Sequence, residues 1–331
     1  MMINKMTILL YYERRNNWLK KQNKENDLIF KDKSRFLQRD IEINCIIAAL
    51  ESKGFELIPI CSKDDLNKLL YQKTNNLVGW NITDGYDIYD GAHFPSTMRL
   101  LGIPYVMEET YIQALAQNKD HFKSIIRQWG ILTPNWITIS YKTINYKIKI
   151  PFSGPYIVKP AKLDNSIGLI KGNKNIFKNR NDALRFAYNH SKKYDSPMMI
   201  EEFIDGNDIS TPYAFFDNRF HSIALREVIF NNWKDYKYQS NILKDKREKR
   251  MEKVNIEITN NILKIIKLLI EKLNLNSYGR FDFRESKDGK LYLLEFNPGT
   301  SLTGLQFEKF YDLNNITLAD FLEKMILSVK K

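Results

Sequence analysis

Residues 278–300 read Tyr278-Gly-Arg-Phe-Asp-Phe-Arg-Glu-Ser-Lys-Asp-Gly-Lys-Leu-Tyr-Leu-Leu-Glu-Phe-Asn-Pro-Gly-Thr300, and the rest of the chain is organised around them. Gly279 to Phe283 and Lys290 to Phe296 both alternate polar and apolar residues with the period of two that a strand imposes. Asp288-Gly289 between them supplies the positive-φ residues of a tight turn, so the stretch reads as a β-hairpin. Alternation puts Arg280 and Asp282 on one face and Phe281 and Phe283 on the other. Along the second strand, Glu295 and Asn297 share a face against Leu294 and Phe296. One face is polar and the other is core.

Carboxylate and amide oxygens meeting at the end of a paired hairpin are hard ligands suited to Mg²⁺, which takes a few carboxylates plus nucleotide phosphates rather than a complete protein cage. Arg280 beside them is placed to meet developing negative charge. Taken singly, each of these residues fits a solvated strand face equally well. Together they do not, because a solvent face in so basic a chain is expected to carry Lys, whereas these positions are Arg, Asp, Glu and Asn.

The bulk properties narrow the function classes. A chain of 331 residues, 43% hydrophobic and 13% aromatic, has the composition of a globular protein with two or three lobes. Met6-Thr-Ile-Leu-Leu-Tyr-Tyr12 is too short, and too soon followed by Glu13-Arg-Arg15, to be a signal peptide or a membrane span, and reads as a first strand. Cys45 and Cys61 lack the spacing of a disulfide framework or a zinc site, which points to the cytoplasm. The formal charge of +12 is mostly Lys spread along the chain, and its densest run, Lys244 to Arg250, is interrupted by acids and contains no aromatics. Without a recognition helix or a stacking platform, that charge does not indicate nucleic acid.

Taken in order, the chain alternates strands with helices up to about residue 117, which predicts a parallel, doubly wound sheet. Strands are expected at Phe55 to Ile60 and Asn76 to Ile82, and helices at Asp40 to Gly54, Asp64 to Leu70 and Pro95 to Leu101. Residues Asn16 to Lys33 form a highly charged insertion with few apolar side chains, expected to be a surface loop. A helix from Tyr111 to Trp129 carries Lys119 midway, and the strand Pro155 to Pro160 places Lys159 at its carboxyl end. Beyond these come a helix from Asn181 to Lys192 and a strand from Met198 to Glu202. Strands near Ile209 to Phe216 and Ser222 to Phe230, a helix from Met251 to Leu273 and the hairpin complete the chain.

Four stretches carry a resemblance: Leu101-Gly-Ile-Pro-Tyr105; Tyr156-Ile-Val-Lys-Pro160 with Asn165-Ser-Ile-Gly168; Ile200-Glu-Glu-Phe-Ile-Asp-Gly206; and Gly279 to Phe283 with Leu294 to Asn297. In that order and spacing, the chain resembles the ATP-grasp carboxylate-amine ligases, and among them the D-alanine:D-alanine ligase group, with definite motifs from Asn81 to Thr303. The resemblance implies a three-lobed α/β fold with lobes at 1–117, 118–200 and 201–331, the nucleotide being held between the two later α+β lobes. It implies a reaction in which ATP converts a carboxylate to an acyl phosphate and an amine displaces the phosphate. The partners are then a small-molecule carboxylate and amine, with no nucleic acid and no membrane. The first-lobe helices have apolar faces that fit either a homodimer or packing on their own sheet.

The resemblance also assigns residues. Lys119 and Lys159 hold the nucleotide phosphates, with Lys237 as a third lysine near the transferred phosphate. The Asn165 to Gly168 loop caps the phosphates, with Ser166 as a hydroxyl donor. Glu201, Glu202, Phe203 and Ile204 form the adenine hinge, and Asp208 bonds the ribose. Asp282, Glu295 and Asn297 hold two Mg²⁺ ions, for which Mn²⁺ substitutes, and Arg280 stabilises the oxyanion of the tetrahedral adduct. The chain departs from the family pattern in three places. Asp164-Asn165 replaces a glycine before the serine. Tyr12-Glu-Arg-Arg15 and the insertion stand where the group has a Gly-Gly and serine-glutamate turn. Asn297-Pro-Gly is shortened by two residues, in the segment that would contact the second substrate's carboxylate. An acceptor other than an amino acid, or a catalytically silent ATP-binding regulator, is the alternative reading.

Overall fold

The computed structural model describes residues 6–12, 33–69, 76–82, 90–142, 148–162, 174–229 and 249–329. The first lobe comprises β1 (Thr7–Tyr11), α1 (Lys33–Ser52), β2 (Glu56–Ile60), α2 (Lys63–Leu69), β3 (Leu77–Asn81), α3 (Asp90–Leu100) and β4 (Tyr105–Val106). Its strands pair in the order β2-β1-β3-β4, all parallel, as the alternation of strands and helices predicts. β1 shows why: Ile8 and Leu10 face one core cluster with Ile43, Ile46 and Leu50 of α1, while Leu9 and Tyr11 face another with Phe94 and Met98 of α3. A strand buried on both faces requires helices on both sides. Both flanking helices begin earlier than expected, α1 at Lys33 rather than Asp40 and α3 at Asp90 rather than Pro95. Arg14 and Arg15 and the bulk of the charged insertion lie outside the described residues.

The predicted helix Tyr111 to Trp129 is two helices, α4 (Thr110–Gln117) and α5 (Lys119–Gln128). Asn118 between them has φ −104° and ψ 83°, outside the helical region, and its side-chain amide donates to the Ala114 carbonyl at 2.7 Å. Lys119 therefore opens a helix instead of sitting within one. The second sheet contains β5 (Trp136–Ile139), β6 (Tyr156–Pro160), β7 (Ile176–Phe177) and β8 (Met198–Glu202), paired antiparallel in the order β5-β8-β6-β7 and backed by α6 (Arg180–Tyr194).

The third sheet is antiparallel and runs β12-β11-β9-β13-β14, with β10 on β9. Its strands are β9 (Gly206–Phe216), β10 (Arg219–Ser222), β11 (Leu225–Ile229), β12 (Lys249–Lys253), β13 (Tyr278–Ser286) and β14 (Leu291–Pro298). Met251, expected to start a helix, lies in β12. The helix α7 begins at Ile256, after Asn255 accepts the Ile258 N–H at 2.9 Å as an N-cap. Two C-terminal helices, α8 (Leu305–Asn314) and α9 (Leu318–Ser328), pack Phe307, Phe310 and Phe321 into the same cluster as β1, β3 and α1. Among the described residues no helix is long and apolar enough to cross a membrane.

A buried acid joins the first lobe to the third sheet. Glu108, just past β4, has no exposed surface and accepts hydrogen bonds from the Tyr213 hydroxyl (2.8 Å) and the N–H groups of Ser277 (3.0 Å) and Asn276 (3.2 Å). Burial pushes its carboxyl up to about 7 from an ordinary 4.5, although all three donors favour the charged form. A carboxyl whose folded value is raised contributes stability that is complete below its unfolded value and is lost as pH rises through the folded one. Urea denaturation should therefore show unfolding free energy falling by about 3 kcal/mol between roughly pH 4.5 and pH 7.5, the equivalent of the shift. Glu108→Gln should flatten that slope, and a slope unchanged by the substitution would assign it to other groups.

Candidate active site

The hairpin β13–β14 forms as its alternation predicts, with one irregularity. Arg280 lies opposite Asn297 and Asp282 opposite Glu295, but Phe283 lies opposite Leu293, so Leu294 is the extra residue of a β-bulge. The bulge swaps the core partner: Leu293 and Phe296 are buried, whereas Leu294, expected on the core face, is only half-buried. The turn uses one positive φ, at Gly289 (78°), and is closed by the Gly289 N–H to the Ser286 carbonyl at 2.9 Å.

On the polar face, Arg280 clamps Asp282 with two parallel bonds, Nε to Oδ1 and Nη2 to Oδ2, each 2.7 Å. The Ser210 hydroxyl donates to Oδ1 at 3.0 Å and the Asn297 amide to Oδ2 at 2.8 Å. Burial opposes the charge of Arg280, but Asp282 and then Glu295 and Glu227 outweigh it and raise its pKa above the ordinary arginine value. The oxygens of Asp282, Glu295 and Asn297 fit a hard divalent cation. Because Asn297 donates its Nδ2 to Asp282, its Oδ1 is left to turn toward a metal. Asp282 already accepts two bonds at each oxygen and can ligate only by exchanging one of them.

A second charged set lies on the central sheet. Glu201 at the end of β8 is 2% exposed, and its carboxylate bridges Lys159 of β6 and Lys123 of α5, at 3.0 Å each. Burial pushes the Glu201 carboxyl up, but the two ammonium groups outweigh it and hold its pKa below the ordinary value. Lys123 is completely buried. That lowers its pKa to about 8 against the pull of Glu201, and its Nζ also donates to the Thr133 hydroxyl at 2.7 Å. Lys119 stands one turn before Lys123 on the same helical face, and its backbone N–H bonds the Ala161 carbonyl at 3.1 Å, docking the start of α5 at the end of β6. The two sets share one field, because Glu295 acts electrostatically on both Arg280 and Lys123.

The segment after β8 presents Phe203, 8% exposed, against Ile157 and Ile176 as a small apolar cluster. Glu202 accepts from the Asn135 amide at 2.9 Å, and its N–H bonds the Asn135 carbonyl at 2.8 Å. Arg284 stacks over the Phe203 ring at 5.5 Å, donates to the Ile204 carbonyl at 3.1 Å and pairs with Asp208 of β9 at 2.5 Å. Burial raises the pKa of the Asp208 carboxyl, with Arg284 acting against it. The structure thus brings together Lys119, Lys159 and Glu201 on one side, Glu202, Phe203, Ile204 and Asp208 between the end of β8 and the start of β9, and Arg280, Asp282, Glu295 and Asn297 on the hairpin. Ser166 and Lys237 lie outside the described residues. Sequence reasoning passed over Lys123 and Arg284. Arg284 continues the polar alternation Arg280-x-Asp282-x-Arg284, a signal that was available, whereas Lys123 reads as an ordinary helix-surface lysine.

With this geometry in view, comparison with known proteins is consistent throughout. The family described as D-ala D-ala ligase C-terminus matches residues 125–326. A D-alanine–D-alanine ligase of Aquifex aeolicus is 30% identical over 212 residues, covering 63% of this chain and 67% of that protein. One from Geobacter sulfurreducens is 26% identical over 292 residues, covering 86% and 87%. The crystal structure of the Bacillus anthracis D-alanine–D-alanine ligase complexed with ATP superposes with a TM-score of 0.72 at 20% identity, covering 98% of this chain and 97% of that one. The chain belongs to the D-alanine–D-alanine ligase family and is an ATP-dependent ligase of the ATP-grasp fold.

Proposed function

We propose that the protein activates an amino-acid or peptide carboxylate with ATP and joins it to an amine in the cleft between the central and C-terminal sheets, within lobes at 1–117, 118–200 and 201–331. The observation that carries this reading is the buried Lys123–Glu201–Lys159 set lying in the electrostatic field of the Arg280, Asp282, Glu295 and Asn297 face. Two cations held ready beside a carboxylate face suit a polyphosphate, and the carboxylates would hold the divalent ions that accompany it.

A carboxylate oxygen of the donor attacks the γ-phosphorus and the bond to the β-phosphate oxygen breaks, leaving ADP and an acyl phosphate. The amine then attacks the acyl carbon, phosphate leaves, and the amine's proton passes to solvent. In this scheme Lys119 and Lys159 bind the phosphates, and Lys123 holds Glu201 so that Lys159 is aimed rather than free. Phe203 walls the adenine, Glu201 to Ile204 form the hinge, and Asp208 bonds the ribose. Arg280 stabilises the oxyanion of the adduct, a charge that develops in the transition state. Asp282, Glu295 and Asn297 would hold two Mg²⁺ ions, for which Mn²⁺ would substitute, and the bound metal would supply positive charge against the phosphate oxygens. Ser166 and Lys237 complete the set. The substrates are small molecules, and the reaction belongs in the cytoplasm, where ATP is supplied.

Incubation with ATP, Mg²⁺ and pools of amino acids should release phosphate and ADP in equal amounts. AMP formation, or ADP without phosphate, would sink the acyl-phosphate route. Glu295→Gln should fold normally yet lose phosphate release by a factor of a thousand or more, about 4 kcal/mol of transition-state stabilisation. Turnover at the parental rate would remove the hairpin from the chemistry. Lys123→Met should weaken ATP binding at least tenfold and lower unfolding free energy by about 3–5 kcal/mol, since it strands one side of a buried carboxylate. Adding Glu201→Gln should restore part of the stability but not the affinity, as a double-mutant cycle in urea would show.

A further inference from the structure

The scheme above gives no role to Arg284, a buried guanidinium beside groups that it does use. Arg284 lies on β13 two residues beyond Asp282, directly opposite Asp208 of β9. It is 7% exposed, and its fork reaches two elements at once: Nε donates to the Ile204 carbonyl at 3.1 Å, while Nη1 holds Asp208 Oδ1 at 2.5 Å. The same guanidinium stacks over the Phe203 ring at 5.5 Å. One side chain therefore ties the segment after β8 to the third sheet. Asp208 is held by one oxygen only: its side chain is still 33% exposed, and among the described residues no donor reaches Oδ2.

A carboxylate at this position needs such a partner. Glu227 and Asp282 act on Asp208 as like charges and burial acts in the same direction, so without a cation it would be driven to take up a proton or to turn away. Arg284 opposes both effects. A planar guanidinium fixes direction as well as charge, and this one is itself locked by the Ile204 carbonyl and the Phe203 ring. Oδ2 is thereby left as an ionised acceptor at a set position, and a hydroxyl donating to it makes a bond roughly twice as strong as one to a neutral oxygen. We infer that Arg284 is a positioning residue for the nucleotide, holding Asp208 so that its open oxygen selects a ribose over a deoxyribose. The inference rests on Asp208 as the ribose contact proposed above and deepens it. Because Phe203 and Ile204 belong to the proposed adenine contact, the same side chain sets the base wall and the sugar acceptor at a fixed separation.

The test is isothermal titration calorimetry of the whole protein with Mg²⁺ and ATP, 2′-deoxy-ATP or 3′-deoxy-ATP, with no carboxylate or amine present, so that it requires no reaction. The unaltered protein should bind at least one of the deoxy nucleotides ten or more times less tightly than ATP. In Arg284→Met, which keeps much of the volume but neither the charge nor the donors, that ratio should fall to within twofold of equality. A role in packing alone would weaken all three nucleotides alike and leave the ratio unchanged, which would overturn the proposal, as would equal binding of all three by the unaltered protein. Should Arg284→Met fail to fold, Arg284→Lys decides: a single nitrogen cannot span the Ile204 carbonyl and Asp208 as the fork does, so the ratio should drop at least threefold, and an undiminished ratio would overturn the proposal. Asp208→Ala separates this inference from the reading beneath it. If Asp208→Ala keeps the ratio, the ribose contact itself is wrong and the inference goes with it; if Asp208→Ala loses the ratio while Arg284→Met keeps it, the positioning role alone is refuted.

Discussion

The two-sidedness of β13 is the constraint from which the rest follows. On one side Phe281 stacks on Phe296 with ring centroids 4.6 Å apart and on Tyr213 at 5.2 Å, and Phe283 is fully buried beside them. Because side chains alternate, seating those rings in the core forces Arg280 and Asp282 onto the opposite face. A one-residue slip would bury the charges and expose the rings. The register is further pinned by Gly279, where a Cβ would come within 2.8 Å of the Asn297 carbonyl and 2.9 Å of the Tyr213 ring. Hydrophobic packing thus does the positioning that the chemistry needs, and the bulge at Leu294 lets β14 return to the core without moving Glu295 away from Asp282.

Each charged set contains its own opposite charge. Glu201 lies between two lysines, Asp282 is clamped by Arg280, and Asp208 is paired with Arg284. Such pairs add little net stability, because desolvation offsets most of the attraction, yet removing one member leaves an uncompensated buried charge. Their value here is geometric. Arg280 illustrates this: from one backbone position its guanidinium bonds both the Asp282 carboxylate and the Thr300 hydroxyl.

How much of this was readable in the sequence depended on whether a feature is local. The hairpin, the parallel first sheet and Lys159 at a strand end follow from period-two alternation, and the strand Met198–Glu202 was read to the residue. Met251 was read as helix because strand β12 exists only by pairing with β11, a partner far away in sequence. Asn118 breaks a continuous helical pattern through a side-chain bond that no periodicity reveals. Lys123 and Glu42 have the same cause in common: a charged residue on an amphipathic helix reads as solvent-facing, and only tertiary packing shows it to be buried. Leu294 was placed on the core face because a bulge shifts the register between residues that pattern alone would keep in step.

Glu42 of α1 and the 299–302 loop also tie the C-terminal hairpin to the first lobe. Leu302 belongs to the same cluster as β1, β3, α1 and the C-terminal helices, and its carbonyl accepts from the Tyr311 hydroxyl at 3.0 Å while its N–H is held by Glu42. The loop is therefore anchored to the first lobe at one end and, through Gly299 N–H to the Tyr278 carbonyl at 3.0 Å, to the hairpin at the other. Any change in the length of the segment after Asn297 must shift both anchors, and with them Thr300, whose hydroxyl accepts from Arg280 Nη1 at 3.1 Å. The hairpin register, by contrast, is fixed by core packing, so a change in this loop leaves the Arg280–Asp282 pair where the burial of Phe281 and Phe283 sets it.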